Sequence, residues 1–153
     1  MLKKILLPLD GSPLAEKALP YAKALADMFE AELVIARVVH PLPIIADYGM
    51  ATYEAVIAVE QEEAQKYLRQ LQEQLAGFRP PVRTVALHNL AVAEAIIDLA
   101  CREGVELIVM STHGRSGFSR WIHGSVATKV LQQAPCPVFL VRASEEPACE
   151  EPA

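Results

Sequence analysis

Runs of consecutive apolar residues alternate along the chain with longer stretches in which apolar residues recur every three or four positions. The runs predict strands, and because they are apolar without a break they suit a sheet covered on both faces. The longer stretches predict helices, and strands that alternate with helices favour an α/β protein with a parallel sheet. The five predicted strands are Lys4–Leu9, Glu32–Val39, Val82–Leu87, Glu106–Met110 and Val138–Arg142.

Four helices are predicted between these strands. The first begins after Ser12, a favourable N-cap, with Pro13 in the first helical position. Pro20 lies inside its pattern and predicts a local bend. The third helix, about 91–102, ends at Gly104, and the fourth spans about 125–133. The second helix is long, stops near Gly77, and is expected to turn the following side chains inward: Tyr53, Val56, Val59, Tyr67, Leu68, Leu71 and Leu75.

The length of 153 residues suits one domain, and no apolar run approaches the ~20 residues that cross a bilayer. The start of the chain has no apolar stretch ending in a cleavage site, so a cytoplasmic protein without a membrane segment is expected. Cys101, Cys136 and Cys149 are widely spaced and form no C-x-x-C pair, which favours neither a disulfide framework nor a zinc site.

The net charge of −5 is concentrated at the end of the chain. Residues 143–153 contain four glutamates and no Lys or Arg, and they predict an acidic tail after a domain of residues 1–142. Without this tail, 14 basic side chains stand against 15 acidic ones, so the domain is almost neutral. It lacks the basic surface that nucleic-acid binding requires, and no nucleic-acid partner is expected.

After the fourth predicted strand, the chain passes through a glycine-containing loop, Ser111 to Ser125, and enters a helix. Glycines let backbone N–H groups approach a ligand closely. Gly124 and Ser125 stand at a helix N-terminus, where free N–H groups and the helix dipole favour anions. Ligands of open α/β sheets also bind outside the carboxyl ends of the strands. The pattern predicts a phosphate-binding loop, and a loop that only turns the chain is the alternative.

Two other phosphate-binding motifs do not match the chain. Asp10–Pro13 does not have the G-x-G-x-x-G spacing, and no glycine precedes a Lys-Ser or Lys-Thr pair as in a Walker A loop. Arg115 and Arg120 are candidates to neutralise phosphate charge, with solvated loop arginines as the alternative. Trp121 is expected to be a packing or partner contact, and His113 and His123 are not expected to bind metal. His40 and His88 end strands near the expected crevice and are candidates to line it, with ordinary polar residues at the edge of the sheet as the alternative.

The loop resembles the signature of the universal stress protein family, G-x2-G-x9-G-[S/T]. Gly114 matches the second glycine, residues 115–123 match the nine-residue spacer, and Gly124-Ser125 matches the end. The segments 5–12 and 134–138 also resemble family hallmarks, so the similarity covers nearly the whole chain. Ser111 replaces the first glycine: it weakens the site if that position needs a positive φ, and it can donate a hydroxyl hydrogen bond if the position needs only a small residue.

The resemblance implies a doubly wound five-stranded parallel sheet in the order 3-2-1-4-5, with four helices on both faces. It implies a nucleotide, ATP or AMP, over the crevice between the first and fourth strands. Asp10 would meet the ribose or adenine beside Pro8 and Leu9, and Val38 would contact the base. The residues implied around the phosphates are Met110, Ser111, Gly114, Gly124, Ser125 and Val126, with Arg115 as the candidate cation.

The resemblance also implies a homodimer through the last strand, Val138–Arg142, and an exposed apolar edge strand agrees with such pairing. A magnesium ion carried by the phosphates is a further expectation, because this cation needs few protein ligands. Four functions remain open: a nucleotide-responsive regulatory protein, a slow ATP hydrolase, a ligand-free dimeric interaction module, and a phosphorylation switch of receiver type. The last lacks an acceptor Asp after Leu87 and a Lys after the final strand.

Overall fold

The computed structural model describes residues 2–39, 50–89, 91–112 and 124–143, with the backbone alone for residues 50–53. Five parallel strands form one sheet in the order β3-β2-β1-β4-β5. The strands are β1 (Lys4–Leu9), β2 (Glu32–Val39), β3 (Val82–His88), β4 (Leu107–Ser111) and β5 (Val138–Val141). The helices are α1 (Pro13–Glu16), α2 (Leu19–Phe29), α3 (Met50–Gln74), α4 (Val92–Glu103) and α5 (Ser125–Gln133). The predicted doubly wound sheet and its strand order are confirmed.

Helices cover both faces of the sheet because successive residues of each strand point to opposite sides. In β1, Ile5 and Leu7 join the buried cluster that α2 and α3 cover, which includes Leu68 and Leu71. Leu6 joins the opposite cluster, with residues of α4 and α5. The unbroken apolar strands thus supply two separate cores, as their sequence pattern predicts.

The first predicted helix forms as two segments, α1 and α2. The N–H groups of Lys17 and Ala18 donate to the carbonyl oxygens of Leu14 and Ala15, at 3.3 and 3.1 Å, which is the spacing of a tighter turn. Pro20 follows and has no N–H to offer the preceding turn. The bend expected at Pro20 is therefore a break between two helical segments.

The inward side of α3 is confined to its second half. Leu68 and Leu71 are buried, whereas Val56 and Val59, predicted to point inward, are 39% and 56% exposed. That prediction is wrong for both valines. The reason is length: a helix of 25 residues extends about 37 Å, whereas a strand of 8 residues extends about 26 Å. The first turns of α3 pass beyond the sheet that buries the later ones.

No helix in residues 2–39, 50–89, 91–112 or 124–143 is both long enough and apolar enough to cross a bilayer.

Candidate functional site

The ladder between β1 and β4 ends before the carboxyl ends of both strands, and the stretch beyond it is termed the gap. β1 pairs with β2 along its whole length, but pairs with β4 only at Ile5 and Leu6. The carbonyl of Lys4 accepts the N–H of Glu106 at 3.0 Å, and the alternation of a strand turns Leu6 and Pro8 towards β4 as well. Pro8 has no N–H to continue the ladder. A proline in a central strand therefore ends this pairing where the strand order reverses.

The turn after β1 holds the carboxylate of Asp10 beside this gap. Asp10 Oδ1 accepts the backbone N–H of Ser12 at 2.8 Å, and Ser12 Oγ accepts the N–H of Ala15 at 3.2 Å. Between them, Gly11 has φ +82°, a conformation that side chains with a Cβ rarely adopt. Asp10 thus caps the turn locally, and this contact fixes where its carboxylate lies.

Thr112 joins three elements at the same edge of the sheet. Its N–H donates to the carbonyl of Val141 at 2.9 Å, and its own carbonyl accepts the N–H of Gly124 at 2.9 Å. Its hydroxyl oxygen accepts the N–H of Ala143 at 3.3 Å. The ends of β4 and β5 and the start of α5 are therefore fixed relative to one another. Ala143, the first residue assigned to the acidic tail, is buried in this junction.

The N-terminus of α5 presents backbone amides at this junction. Gly124 is the N-cap and has no side chain that could satisfy them. The first bond within the helix runs from the N–H of Thr128 to the carbonyl of Gly124, at 2.9 Å. The amides of Ser125, Val126 and Ala127 come before it, where a helix has no acceptors of its own. Such amides and the helix dipole favour a bound anion.

Ser111 ends β4 in ordinary extended backbone. It pairs with Val141 in the sheet and is 7% exposed. Among the described residues other than glycine, only Glu30 has a positive φ. The position of Ser111 therefore does not require the backbone freedom of glycine, and serine introduces no strain here.

The other predicted site residues divide between the two faces of the sheet. Met110 and Val38 pack on the side of α4 and α5. The side chain of Leu9 is buried in the opposite cluster, and its backbone pairs with Arg37 of β2. Pro8 is buried in β1. Seven of the residues predicted from the sequence lie outside the described residues: Gly114, Arg115, Arg120, His113, His123, His40 and Trp121.

His88 does not lie at the gap, so its prediction as a crevice residue is wrong. It ends the edge strand β3, and β2 separates that strand from β1. With Asp98, Cys101 and Arg102, it lines a groove of about 460 Å³ between β3 and α4. Within the described ranges, no three His, Cys, Asp or Glu side chains are placed to hold a metal ion.

One residue beside the turn was missed by the sequence reasoning. Arg37 interrupts the apolar run of β2, pairs with Leu9 in the sheet, and is only 9% exposed. Its guanidinium lies against Gly11 and over the ring of Tyr67, with 5.1 Å from Cζ to the ring centroid. A charged side chain inside an apolar strand was the signal that could have identified it.

Tyr67 lies between Arg37 and α1. Its hydroxyl donates to Glu16 Oε1 at 2.7 Å. Burial raises the pKa of Tyr67 above its ordinary value, and the hydrogen bond and negative charge of Glu16 raise it further. Arg37 lowers this pKa and Asp10 raises it, so both charges act on the same phenol.

The sheet order and the alternation of strands and helices define a doubly wound α/β protein, an architecture in which ligands bind at the point where the strand order reverses. The chain belongs to the universal stress protein family, whose family model matches residues 1–142.

Relatives and solved structures agree with this assignment. A universal stress protein of Thermus aquaticus is 38% identical over 93% of this chain and 100% of its own. Universal stress protein MJ0531 of Methanocaldococcus jannaschii is 31% identical over 92% and 82%. The structure of UspA from Lactobacillus plantarum superposes with a TM-score of 0.82, at 26% identity over 92% and 97% of the two chains.

Two further solved structures of the family share the fold and contain a nucleotide. A universal stress protein in complex with cAMP has a TM-score of 0.63, at 22% identity over 94% and 98% of the two chains. A family protein from Arabidopsis thaliana with AMP bound has a TM-score of 0.67, at 10% identity over 94% and 93%.

Proposed function

We propose that this protein is a regulatory protein that binds an adenine nucleotide, ATP or AMP, at the gap between β1 and β4. The observation that carries the proposal is the hydrogen bond from the N–H of Gly124 to the carbonyl of Thr112. It brings the first turn of α5 to the end of β4, beside the opening that Pro8 creates. The ligand would place its phosphates on the amides of Ser125 and Val126.

Charge and shape support this orientation. The N-terminus of α5 attracts the phosphates, whereas the carboxylate of Asp10 would repel them and suits a ribose hydroxyl or an adenine amino group. Val38, partly buried on the face of α4 and α5, would supply apolar surface for the base, and Met110 would lie near the phosphates. Gly114 belongs to the proposed site through the signature, and Arg115 belongs to it as a cation that would neutralise phosphate charge. A Mg²⁺ ion would be bound through the phosphates.

The two nucleotide complexes support the ligand class. One family protein holds cAMP and another holds AMP, and both ligands join adenosine to a phosphate. The match of the family model to residues 1–142 covers every element proposed for the site here. An adenine nucleotide is therefore the ligand to test first.

We also propose a homodimer through β5. This strand lies at the end of the sheet and carries Phe139, which is 40% exposed. Tyr21 of α2, 51% exposed, lies beside it with 5.9 Å between the ring centroids. An edge strand with exposed aromatic rings is suited to pair with a second copy of itself.

The nucleotide proposal is tested on the purified chain. The protein is denatured, and the supernatant is chromatographed for ATP, ADP and AMP. The stripped protein is then melted with increasing ATP, and ligand at 100 times its Kd stabilises the fold by about 2.7 kcal/mol. Absence of nucleotide together with unchanged melting would favour the ligand-free interaction module. Phosphate release well above background would favour the ATP hydrolase.

A further inference from the structure

We propose that Arg37 is a positioning residue for nucleotide binding: its guanidinium supports Gly11 and so holds the carboxylate of Asp10 at the gap. This inference rests on the nucleotide function proposed above. Arg37 lies on the face of α2 and α3, where Ile35 and Leu33 of the same strand are buried, and not on the face of Val38. It therefore acts on the site from the opposite face of the sheet, through its contact with the turn.

The guanidinium of Arg37 lies next to Gly11, within van der Waals reach of the position that a Cβ would occupy. A Cβ placed on Gly11 would lie 3.4 Å from Arg37 Cζ, 3.5 Å from Nη1 and 3.5 Å from Nη2. Three nearly equal distances from one point mean that the guanidinium turns its flat face towards Gly11. The guanidinium therefore packs under the turn, at a distance that a methyl group on Gly11 would fill by ordinary van der Waals contact.

The guanidinium is itself held in place from α3. It lies over the ring of Tyr67, and Nη1 donates to the carbonyl oxygen of Glu63 at 3.4 Å. Tyr67 in turn donates to Glu16 of α1, the helix that begins directly after the turn. These contacts form a closed circuit from the turn through β2 and α3 back to α1. The turn is therefore in contact with a planar, rigid guanidinium that the ring of Tyr67 holds in place. This contact limits how the turn can move.

The circuit separates two roles for Arg37. A residue that only stabilises the core would change the stability of the fold and leave the action of Asp10 on the nucleotide unaltered. A positioning residue is coupled to Asp10, because its removal misplaces that carboxylate. The coupling between two substitutions distinguishes these roles, since residues in one network give non-additive effects.

The first experiment is a double-mutant cycle with ATP affinity as its readout. Arg37→Met is expected to weaken ATP binding about tenfold in the native chain and less than about twofold in an Asp10→Asn background. Arg83→Met is the matched control, because Arg83 is a strand arginine that pairs with Glu32 and Glu103 away from the turn. Equal losses for Arg37→Met in both backgrounds, or no loss in either, would overturn the proposal.

The second experiment reads the turn itself and needs no nucleotide. Hydrogen exchange of the Ser12 amide, which donates to Asp10, is expected to become about tenfold faster in Arg37→Met relative to the core amide of Leu33. Arg37→Lys, which keeps the charge and loses the flat group, is the second variant and is expected to change in the same direction. If the native chain binds no ATP, the proposed nucleotide function fails, but the exchange rate of Ser12 relative to Leu33 still tests whether Arg37 positions the turn. An unchanged ratio in both variants would overturn the positioning role.

Discussion

The backbone N–H of Gly124 donates to the carbonyl oxygen of Thr112 across 2.9 Å, and this bond joins the start of α5 to the residue that follows β4. Thr112 is at the same time bonded to Val141, the last residue of β5. The start of α5 is therefore tied to the sheet at the edge where β1 and β4 separate. This geometry makes the first turn of α5 the part of the proposed site that is most open to a direct test.

Gly124→Val is expected to abolish nucleotide binding with little loss of stability. Gly124 has φ −50° and ψ 145°, so the position does not need the positive φ that glycine alone adopts readily, and its N–H remains available to Thr112. The added methyl groups would stand in front of the amides that receive the phosphates. Titration with ATP measures the affinity, and a urea melt measures the fold. A Gly124→Val protein that bound ATP normally would remove α5 from the proposed site.

Asp10 allows its role in folding to be separated from its role in binding. Asp10→Asn keeps an oxygen for the N–H of Ser12, so its free energy of unfolding is expected to stay within about 0.5 kcal/mol of the native value. Asp10→Ala loses that acceptor, and a loss of about 1 kcal/mol is expected. Both are expected to weaken ATP binding at least about tenfold, because the proposed charge-assisted hydrogen bond to the nucleoside would be lost. Full affinity in Asp10→Asn would contradict the assignment.

Ser12→Ala is expected to lower the free energy of unfolding by about 1 kcal/mol, the usual cost of losing a side-chain N-cap. The bond that disappears joins Ser12 Oγ to the N–H of Ala15. Ser12→Thr keeps a hydroxyl at the cap and serves as the control, with a smaller loss expected. Urea denaturation of the three proteins gives the comparison, and equal stability for Ala and Thr would show that the cap contributes nothing.

The raised pKa of Tyr67 predicts that the folded state loses stability at alkaline pH. Its pKa is raised above the ordinary tyrosine value of 10.0, chiefly because burial disfavours the phenolate. A raised pKa in the folded state means that the stabilisation is complete below pH 10.0 and is lost as the pH rises above it. Ultraviolet titration is expected to show a late phenolate signal that Tyr67→Phe lacks. Identical titration end points for the two proteins would contradict this prediction.

Phe139→Lys is expected to give a monomer. The change places a charge on the exposed edge strand β5, where the proposed second copy would pair. Met28→Lys is the control, because Met28 is 73% exposed on α2. Size-exclusion chromatography with light scattering gives the mass of each protein. The dimer proposal fails if the native chain is already monomeric, or if Phe139→Lys remains a dimer.

Part of the candidate site could be read from neighbouring residues. Asp10, Gly124 and Ser125 stand directly at the ends of predicted elements, so their place at the carboxyl edge followed from the parallel sheet. His88 also ends a strand, but it lies at the far edge. Which strand end adjoins which depends on strand order, and only the family resemblance supplied that order.

Arg37 shows what local reasoning could not supply. Its partners Gly11 and Tyr67 come from the turn after β1 and from α3. Nothing in the spacing of these residues along the chain indicates that their side chains meet. The same limit explains Val56 and Val59: their spacing is that of an inward helical face, but burial depends on whether a neighbouring sheet extends that far.

The apolar periodicity, together with helix caps and helix-breaking residues, determined the helices and strands of this protein. Ser12, Pro20 and Gly104 act only on neighbouring residues, through capping and backbone geometry. The gap at Pro8 also has a local cause, the absent N–H of a proline. The tertiary structure alone decided which elements became neighbours, and with it the Thr112 junction and the contacts of Arg37. Such contacts arise from the burial of distant surfaces against one another, and no local preference of the backbone encodes them.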